Sequence, residues 1–213
     1  MFITFEGGEG VGKSTNILRL KEWLEAEGIE VVVTREPGGT PIAERIRNDL
    51  LKANHAESMQ SMTELLLVFA ARAQHWARLI KPSLEAGKWV ICDRFNDSTV
   101  AYQGYGRGIS LDTINSLKQM SLDGTEPDLT ILLDAPVQLG LARAADRSKQ
   151  NNEEIDRFEI EKKAFFERVR SGFLTLADNE KRIKTIDASQ PLENVTNDII
   201  DTVRTIRDRM LCL

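Results

Sequence analysis

Cysteine is scarce in this chain of 213 residues: there are two, Cys92 and Cys212, far apart in sequence. In a reducing compartment they read as two free thiols rather than a disulfide or a metal site. Positive charge is not in surplus. Twenty-eight Lys and Arg stand against 33 Asp and Glu, a net −5, which speaks against a surface devoted to wrapping nucleic acid. Long apolar runs are missing too, since the longest, Leu65 to Ala71, falls far short of the roughly twenty residues that cross a bilayer. The start, Met1 to Glu6, carries no basic leader or small-residue cleavage site, so the expected location is the cytoplasm. No internal repeat or linker divides the chain, and 41% apolar content suits one globular domain over 1–213.

What is present is an alternation of short β-branched runs with longer helical stretches, the pattern of a parallel sheet covered by helices on both faces. Five strands are expected, at Phe2–Phe5, Ile29–Thr34, Trp89–Cys92, Leu129–Leu133 and Ile183–Ile186. A first helix carries Ile17, Leu20 and Leu24 on one face and is stopped by Gly28. Further helices are expected at Thr63–Ala86, broken or bent near Pro82, and at Leu111–Ser121, Val137–Arg147, Arg157–Asp178 and Leu192–Met210. The one strongly polar stretch, Asp146 to Glu154, reads as an exposed loop. In an open parallel sheet the ligand crevice lies beyond the carboxyl ends of the strands, which directs attention to the loops opening at Glu6, Arg35, Asp93 and Asp134.

The first of these loops, Gly7-Gly8-Glu9-Gly10-Val11-Gly12-Lys13-Ser14, satisfies G-x-x-x-x-G-K-[ST] between a strand and a helix. Glycines let successive backbone N–H groups face a phosphate, the helix N-terminus adds partial positive charge, and Lys13 neutralises the outer phosphates. Ser14 is the expected magnesium ligand. By average composition the pattern arises by chance in roughly one chain of this length in a hundred. A nucleoside triphosphate is therefore the expected ligand. The D-x-x-G and N-K-x-D strings of a switch GTPase do not occur, which disfavours a nucleotide switch. A small-molecule kinase instead needs an acceptor pocket, cations that hold two anionic substrates together, and a cover that excludes water.

Thr34-Arg35-Glu36-Pro37-Gly38-Gly39-Thr40, Asp93-Arg94-Phe95, Ala101-Tyr102-Gln103-Gly104 and Gly106-Arg107-Gly108, taken with the cradle, closely resemble the bacterial thymidylate kinase family over about Phe2 to Gln190. The resemblance implies an α/β, three-layer P-loop kinase core with a five-stranded parallel sheet and a short lid at about 143–157. It implies transfer of the γ-phosphoryl group of ATP to dTMP with Mg2+, and a homodimer. A deoxynucleoside kinase acting on thymidine is the alternative, although a nucleoside has no use for arginines near an acceptor phosphate.

Residue by residue, the resemblance places Gly7 to Thr15 and Arg143 at ATP, with Arg143 lying against adenine, and Glu9 near the sugar 3′-hydroxyl and magnesium. It places Arg35, Pro37 and Arg47 near the acceptor phosphate, and Arg94 between that phosphate and the phosphoryl group in flight. Thr99 and Gln103 face the pyrimidine, Arg72 donates to the 4-carbonyl of thymine, and Tyr102 packs under the deoxyribose. The family's base-stacking phenylalanine sits four residues before that arginine, where this chain has Val68. Phe69, three residues before, shares the helical face and is the candidate stacker, with core packing as its other reading. No cradle position carries a basic side chain at residues 8–11, so the missing cation is expected from the lid, as Arg147. His55 and His75 are read as surface or helix-side residues without a role.

Overall fold

The computed structural model describes residues 1–53, 55–122, 124–151 and 163–211. Five parallel strands, β1 (Phe2–Gly7), β2 (Val31–Arg35), β3 (Trp89–Asp93), β4 (Leu129–Asp134) and β5 (Ile183–Asp187), pair in the order β2-β3-β1-β4-β5. β1 therefore lies at the centre, with Phe2 opposite Val90 on one side and Ile3 opposite Leu129 on the other. The chain leaves β1 toward one edge and returns from β3 to build the other. This strand-order reversal opens a crevice at the carboxyl end of β1.

The helices are α1 (Lys13–Ala26), α2 (Pro41–Arg45), α3 (Ser61–His75), α4 (Lys81–Glu85), α5 (Asn96–Thr99), α6 (Leu111–Leu122), α7 (Val137–Asn151), α8 (Lys163–Asn179) and α9 (Leu192–Leu211). Wide π-helical turns follow α2 at Ile46–Leu51, α3 at Trp76–Ile80 and α5 at Val100–Gly106. Among the described residues, two of these three segments border the crevice, as such turns often do at functional sites. The expected long helix over Thr63–Ala86 is thus a continuous run from Ser61 to Glu85, and Pro82 is accommodated in the first turn of α4 instead of breaking the helix interior. α1 ends as its sequence predicts: Gly28 takes a φ of 78°, and the Ile29 N–H returns to the Leu24 carbonyl.

Strand alternation sorts the sheet into two unlike faces. Ile3, Phe5, Ile91, Leu129, Ile131 and Leu133 point to one side and are sealed by Ile17, Leu20 and Leu24 of α1 and Val195, Ile199 and Val203 of α9. The opposite side carries Phe2, Val90 and Leu132, but also the fully buried Thr4, Glu6 and Thr130. These polar groups are satisfied internally. Thr4 and Thr130 hydroxyls are 2.7 Å apart, the Phe95 N–H and Ser98 hydroxyl donate to Glu6, and Arg182 forks onto Asp97 at 2.7 and 2.8 Å. The seam pins α5, all four of whose residues are buried, against the sheet. It fixes the loop that follows β3 and hence the side chains that enter the crevice from it.

Most boundaries shift by only a residue or two, but the end of the helix after β4 shifts further. The helix after β4 does not stop at Arg147 but runs to Asn151, so the first part of the polar Asp146 to Glu154 stretch is helical. No Gly or Pro interrupts it, and Arg, Lys and Gln are good helix formers. The remainder of that stretch, the end of the expected lid at 152–157, the first residues of the Arg157–Asp178 helix and Cys212 lie outside the described residues.

Candidate active site

The cradle leaves β1 and enters α1 as the motif requires, with Gly10 at φ 66° and Gly12 at φ 89°. A Cβ on Gly10 would collide with the carbonyl of Gly140, and one on Gly140 with the carbonyl of Glu9. The cradle is therefore seated backbone to backbone against α7, the helix that carries Arg143 and Arg147. Lys13 folds over the cradle and donates to the carbonyls of Gly7 (3.2 Å) and Gly8 (2.8 Å). Burial, together with the nearby Arg94 charge, pulls its ammonium below the usual lysine range.

The crevice beyond the cradle opens to solvent. Its walls come from the cradle, the loop after β2, the π-helical turn at Ile46–Leu51, α3, the loop after β3 and the π-helical turn at Val100–Gly106. Arg94 stands at the middle. It is the one non-glycine residue with positive φ (66°) among the described residues, a strained conformation held by its N–H bond to the Phe5 carbonyl at 2.9 Å. Its guanidinium donates to the Gly7 carbonyl (3.0 Å), the Ser98 hydroxyl (3.1 Å) and Glu9 (2.7 Å), and lies 4.9 Å from the centre of the Tyr102 ring. Desolvation opposes the charge, but Tyr102, Glu9, Asp93 and Glu6 outweigh it and hold Arg94 above the ordinary arginine range. Tyr102 donates its hydroxyl to Glu9 at 2.9 Å; burial and that carboxylate push the phenol well above its usual value. The ion-pair partner of Arg94 is Glu9.

Arg72, 2% exposed, reaches the crevice from α3. Its Nε donates to Glu36 (2.7 Å) and one Nη to the Phe95 carbonyl (3.0 Å), while the other, Nη1, is buried without a partner. Three of the six unpartnered buried polar side-chain atoms among the described residues belong to crevice-lining residues: Arg72 Nη1, Thr99 Oγ1 and Asp93 Oδ1. Buried polar atoms are normally satisfied, so their concentration here marks places where a polar ligand completes the site. Gln103 also lines the crevice, its Nε2 donating to Glu64 at 2.8 Å. Of the two candidates for base stacking, Val68 lines the crevice, whereas Phe69 does not. The Phe69 ring is 4% exposed, packs with Leu65, Val100 and Ile114, and lies beneath the Arg72 guanidinium at 5.0 Å. Its direct contact is with the arginine and the core, because one helical step of about 100° separates it from the Val68 direction.

His75 corrects the sequence reading. It is fully buried, with Nδ1 3.0 Å from Glu36 and Nε2 2.7 Å from the Thr34 hydroxyl, so a Thr34–His75–Glu36–Arg72 chain stands behind the crevice wall. His55 is exposed, with its Nε2 near the Leu50 carbonyl. Arg35, half exposed, bonds Glu44 of α2 at 2.8 and 2.9 Å, and Arg47 donates to the Pro37 carbonyl at 2.8 Å. Arg143 is exposed on α7 and donates to the Ala188 carbonyl after β5. Arg147 lies on α7, but its side chain is outside the described residues. Glu36, Glu64 and Asp93 were not singled out from sequence; only the position of Asp93 at a strand end signalled it.

A divalent cation is compatible with these donors. Ser14 and Thr15 are exposed on the crevice wall, which Glu9 and Asp93 also line. Magnesium is usually carried by phosphates and water with one or two carboxylates, so few protein ligands are required of such a site.

A thymidylate kinase family profile matches residues 5–199. A curated thymidylate kinase of Pseudomonas fluorescens is 55% identical over 210 residues, covering 98% of this chain and 97% of that protein. One from Alcanivorax borkumensis is 51% identical over 207 residues, covering 97% of each. A solved thymidylate kinase structure from Ehrlichia chaffeensis is similar with a TM-score of 0.74 and 37% identity, covering 95% of this chain and 98% of that one.

Proposed function

The chain belongs to the thymidylate kinase family, an ATP-dependent kinase that converts dTMP to dTDP and releases ADP, and we propose that the crevice performs this transfer with the roles that follow. The observation that carries them is the span of Arg94, which is bonded to cradle and Glu9 on one side and stacked on Tyr102 on the other. A fixed planar cation at that junction can hold the acceptor phosphate and the transferring phosphoryl group together.

A 5′-phosphate oxygen of dTMP attacks the γ-phosphorus in line, and the bond to the β-bridging oxygen breaks as ADP leaves. No general base is needed, because the attacking oxygen already carries negative charge. The protein supplies position and charge stabilisation. Gly7 to Thr15 receive the triphosphate, with Lys13 turning from the Gly7 and Gly8 carbonyls to the outer phosphates. Arg35, Pro37 and Arg47 border the acceptor phosphate. Tyr102 supports the sugar, Glu9 meets its 3′-hydroxyl, and Arg72, Thr99 and Gln103 face the base. Ser14, Glu9 and Asp93 would hold magnesium, which neutralises charge on the transferring group when bound. Arg143 and Arg147 come from α7, within a lid at about 143–157 of a single kinase domain, Arg143 against adenine and Arg147 as the cation that residues 8–11 lack.

A homodimer is part of this reading. It is supported by α3 and α6, which pack on each other and expose Met62, Leu66, Leu111 and Met120 at 46, 50, 40 and 80%. Among the described residues no helix is long and apolar enough to cross a membrane, and the proposed location is the cytoplasm. A coupled ADP-release assay across dTMP, dUMP, dCMP, AMP, GMP and thymidine tests the function. Fastest turnover is expected with dTMP; faster turnover with AMP, GMP or thymidine would overturn it.

A further inference from the structure

Glu64 sits in the first turn of α3, 1% exposed, and does not line the crevice. It accepts from Gln103 Nε2 at 2.8 Å and is paired with Arg107, whose Nε and Nη2 lie 3.3 Å from its two oxygens. Arg107 is itself stacked over Phe165 at 4.6 Å. An ionised carboxylate offers only acceptors, so the end of the Gln103 amide that meets it is the NH2. Turning the amide over would set two oxygens against each other in a buried space. Oε1 is thereby the end left to the crevice.

The wall then presents one acceptor, Gln103 Oε1, and one donor, Arg72 Nη1, which has no protein partner. A 4-oxo pyrimidine with a protonated N3, such as thymine or uracil, offers the complementary acceptor and donor. Cytosine offers an amino group and a bare N3, mismatched at both. We infer that Glu64 is a specificity-positioning residue: by holding the amide of Gln103 in one orientation it sets the hydrogen-bond polarity with which the crevice reads the base. This rests on the reading of Gln103 and Arg72 as base-facing.

The test is kcat/KM for dTMP, dUMP and dCMP in wild type, Glu64→Gln, Gln103→Ala and the double variant. With Glu64→Gln the amide of Gln103 finds partners in either orientation, and the dTMP/dCMP ratio is expected to fall roughly tenfold or more, mainly through KM for dTMP. The dTMP/dUMP ratio stays within about twofold, because both bases present the same edge, whereas a general loosening of the pocket moves both ratios. In the Gln103→Ala background Glu64→Gln adds no further loss. If the single variant leaves Arg107 uncompensated and fails to fold, Glu64→Gln with Arg107→Gln removes both charges together and carries the same expectation. An unchanged dTMP/dCMP ratio in the folded variant, or an equal fall with Gln103 already absent, overturns the role of Glu64. An unchanged ratio in Gln103→Ala alone overturns the base-facing reading beneath it.

Discussion

At the proposed base end of the crevice the proposed reading groups lean on buried carboxylates, Arg72 on Glu36 and Gln103 on Glu64. At the proposed phosphate end Lys13 donates to two carbonyls, Arg47 has the Pro37 carbonyl among its partners, and Arg35 pairs with the half-buried Glu44. Base discrimination demands a donor and an acceptor fixed in place before the ligand arrives, and a bond to a buried carboxylate gives that fixity. Charge neutralisation demands a cation that can turn onto phosphate oxygens, as Lys13 can from its two neutral carbonyls. Arg94 lies between the two ends, bonded to the Gly7 carbonyl and Glu9 of the cradle and over the Tyr102 ring.

The largest expected effect tests the junction. Arg94→Ala should lower kcat by about a thousandfold or more, on the scale seen when a phosphoryl-stabilising arginine is lost, as measured by steady-state kinetics; a change confined to KM would detach Arg94 from the transfer. Next is Arg147→Ala, for which turnover should fall on the order of a hundredfold or more with only a modest change in dTMP affinity. A pure rise in the KM for dTMP would move Arg147 out of the lid role.

Stability separates the two ends more sharply. Arg72→Ala leaves Glu36 buried with His75 alone and should cost about 3–5 kcal/mol in denaturant unfolding. Arg35→Ala breaks a half-exposed pair and should cost less than about 1 kcal/mol. Equal costs would erase the distinction.

The smallest expected effect concerns the seam beneath the phosphate end. Burial, reinforced by Asp97, pushes the Glu6 carboxyl up to about 8 from 4.5. The folded state then binds a proton that the unfolded state has released, so stability falls as pH rises from about 4.5 to about 8. Thermal melts of Glu6→Gln, which keeps the neutral form at every pH, should lose part of that slope and match or exceed wild type above pH 8. A parallel slope in both proteins would mean that Glu6 is ionised in the fold.

The sheet and the cradle were legible because their signals are local: aliphatic runs of strand length, glycines at turns, and a contiguous phosphate motif. Asp93 and Arg94 were visible as a charged pair at a strand end. The supports of the base wall were not. Glu36 meets Arg72 and His75 across 36 and 39 residues, and Glu64 meets Gln103 across 39, and no periodicity marks a helical histidine or glutamate that turns inward toward a distant partner. Phe69 was ambiguous for a finer reason. A single helical step, with π-helical turns nearby, decides whether it or Val68 borders the crevice. The extension of α7 to Asn151 was hidden by polar composition, which speaks to exposure and not to helix formation.

The division of labour between the two ends is tested most directly by the ratio of kcat/KM for dTMP over dCMP, measured in wild type, Arg35→Ala and Gln103→Ala. Arg35→Ala should lower both values together and leave the ratio within about twofold, while Gln103→Ala should collapse it roughly tenfold or more. A ratio that collapses in Arg35→Ala, or survives in Gln103→Ala, would contradict a base end fixed in advance and a phosphate end that carries charge alone.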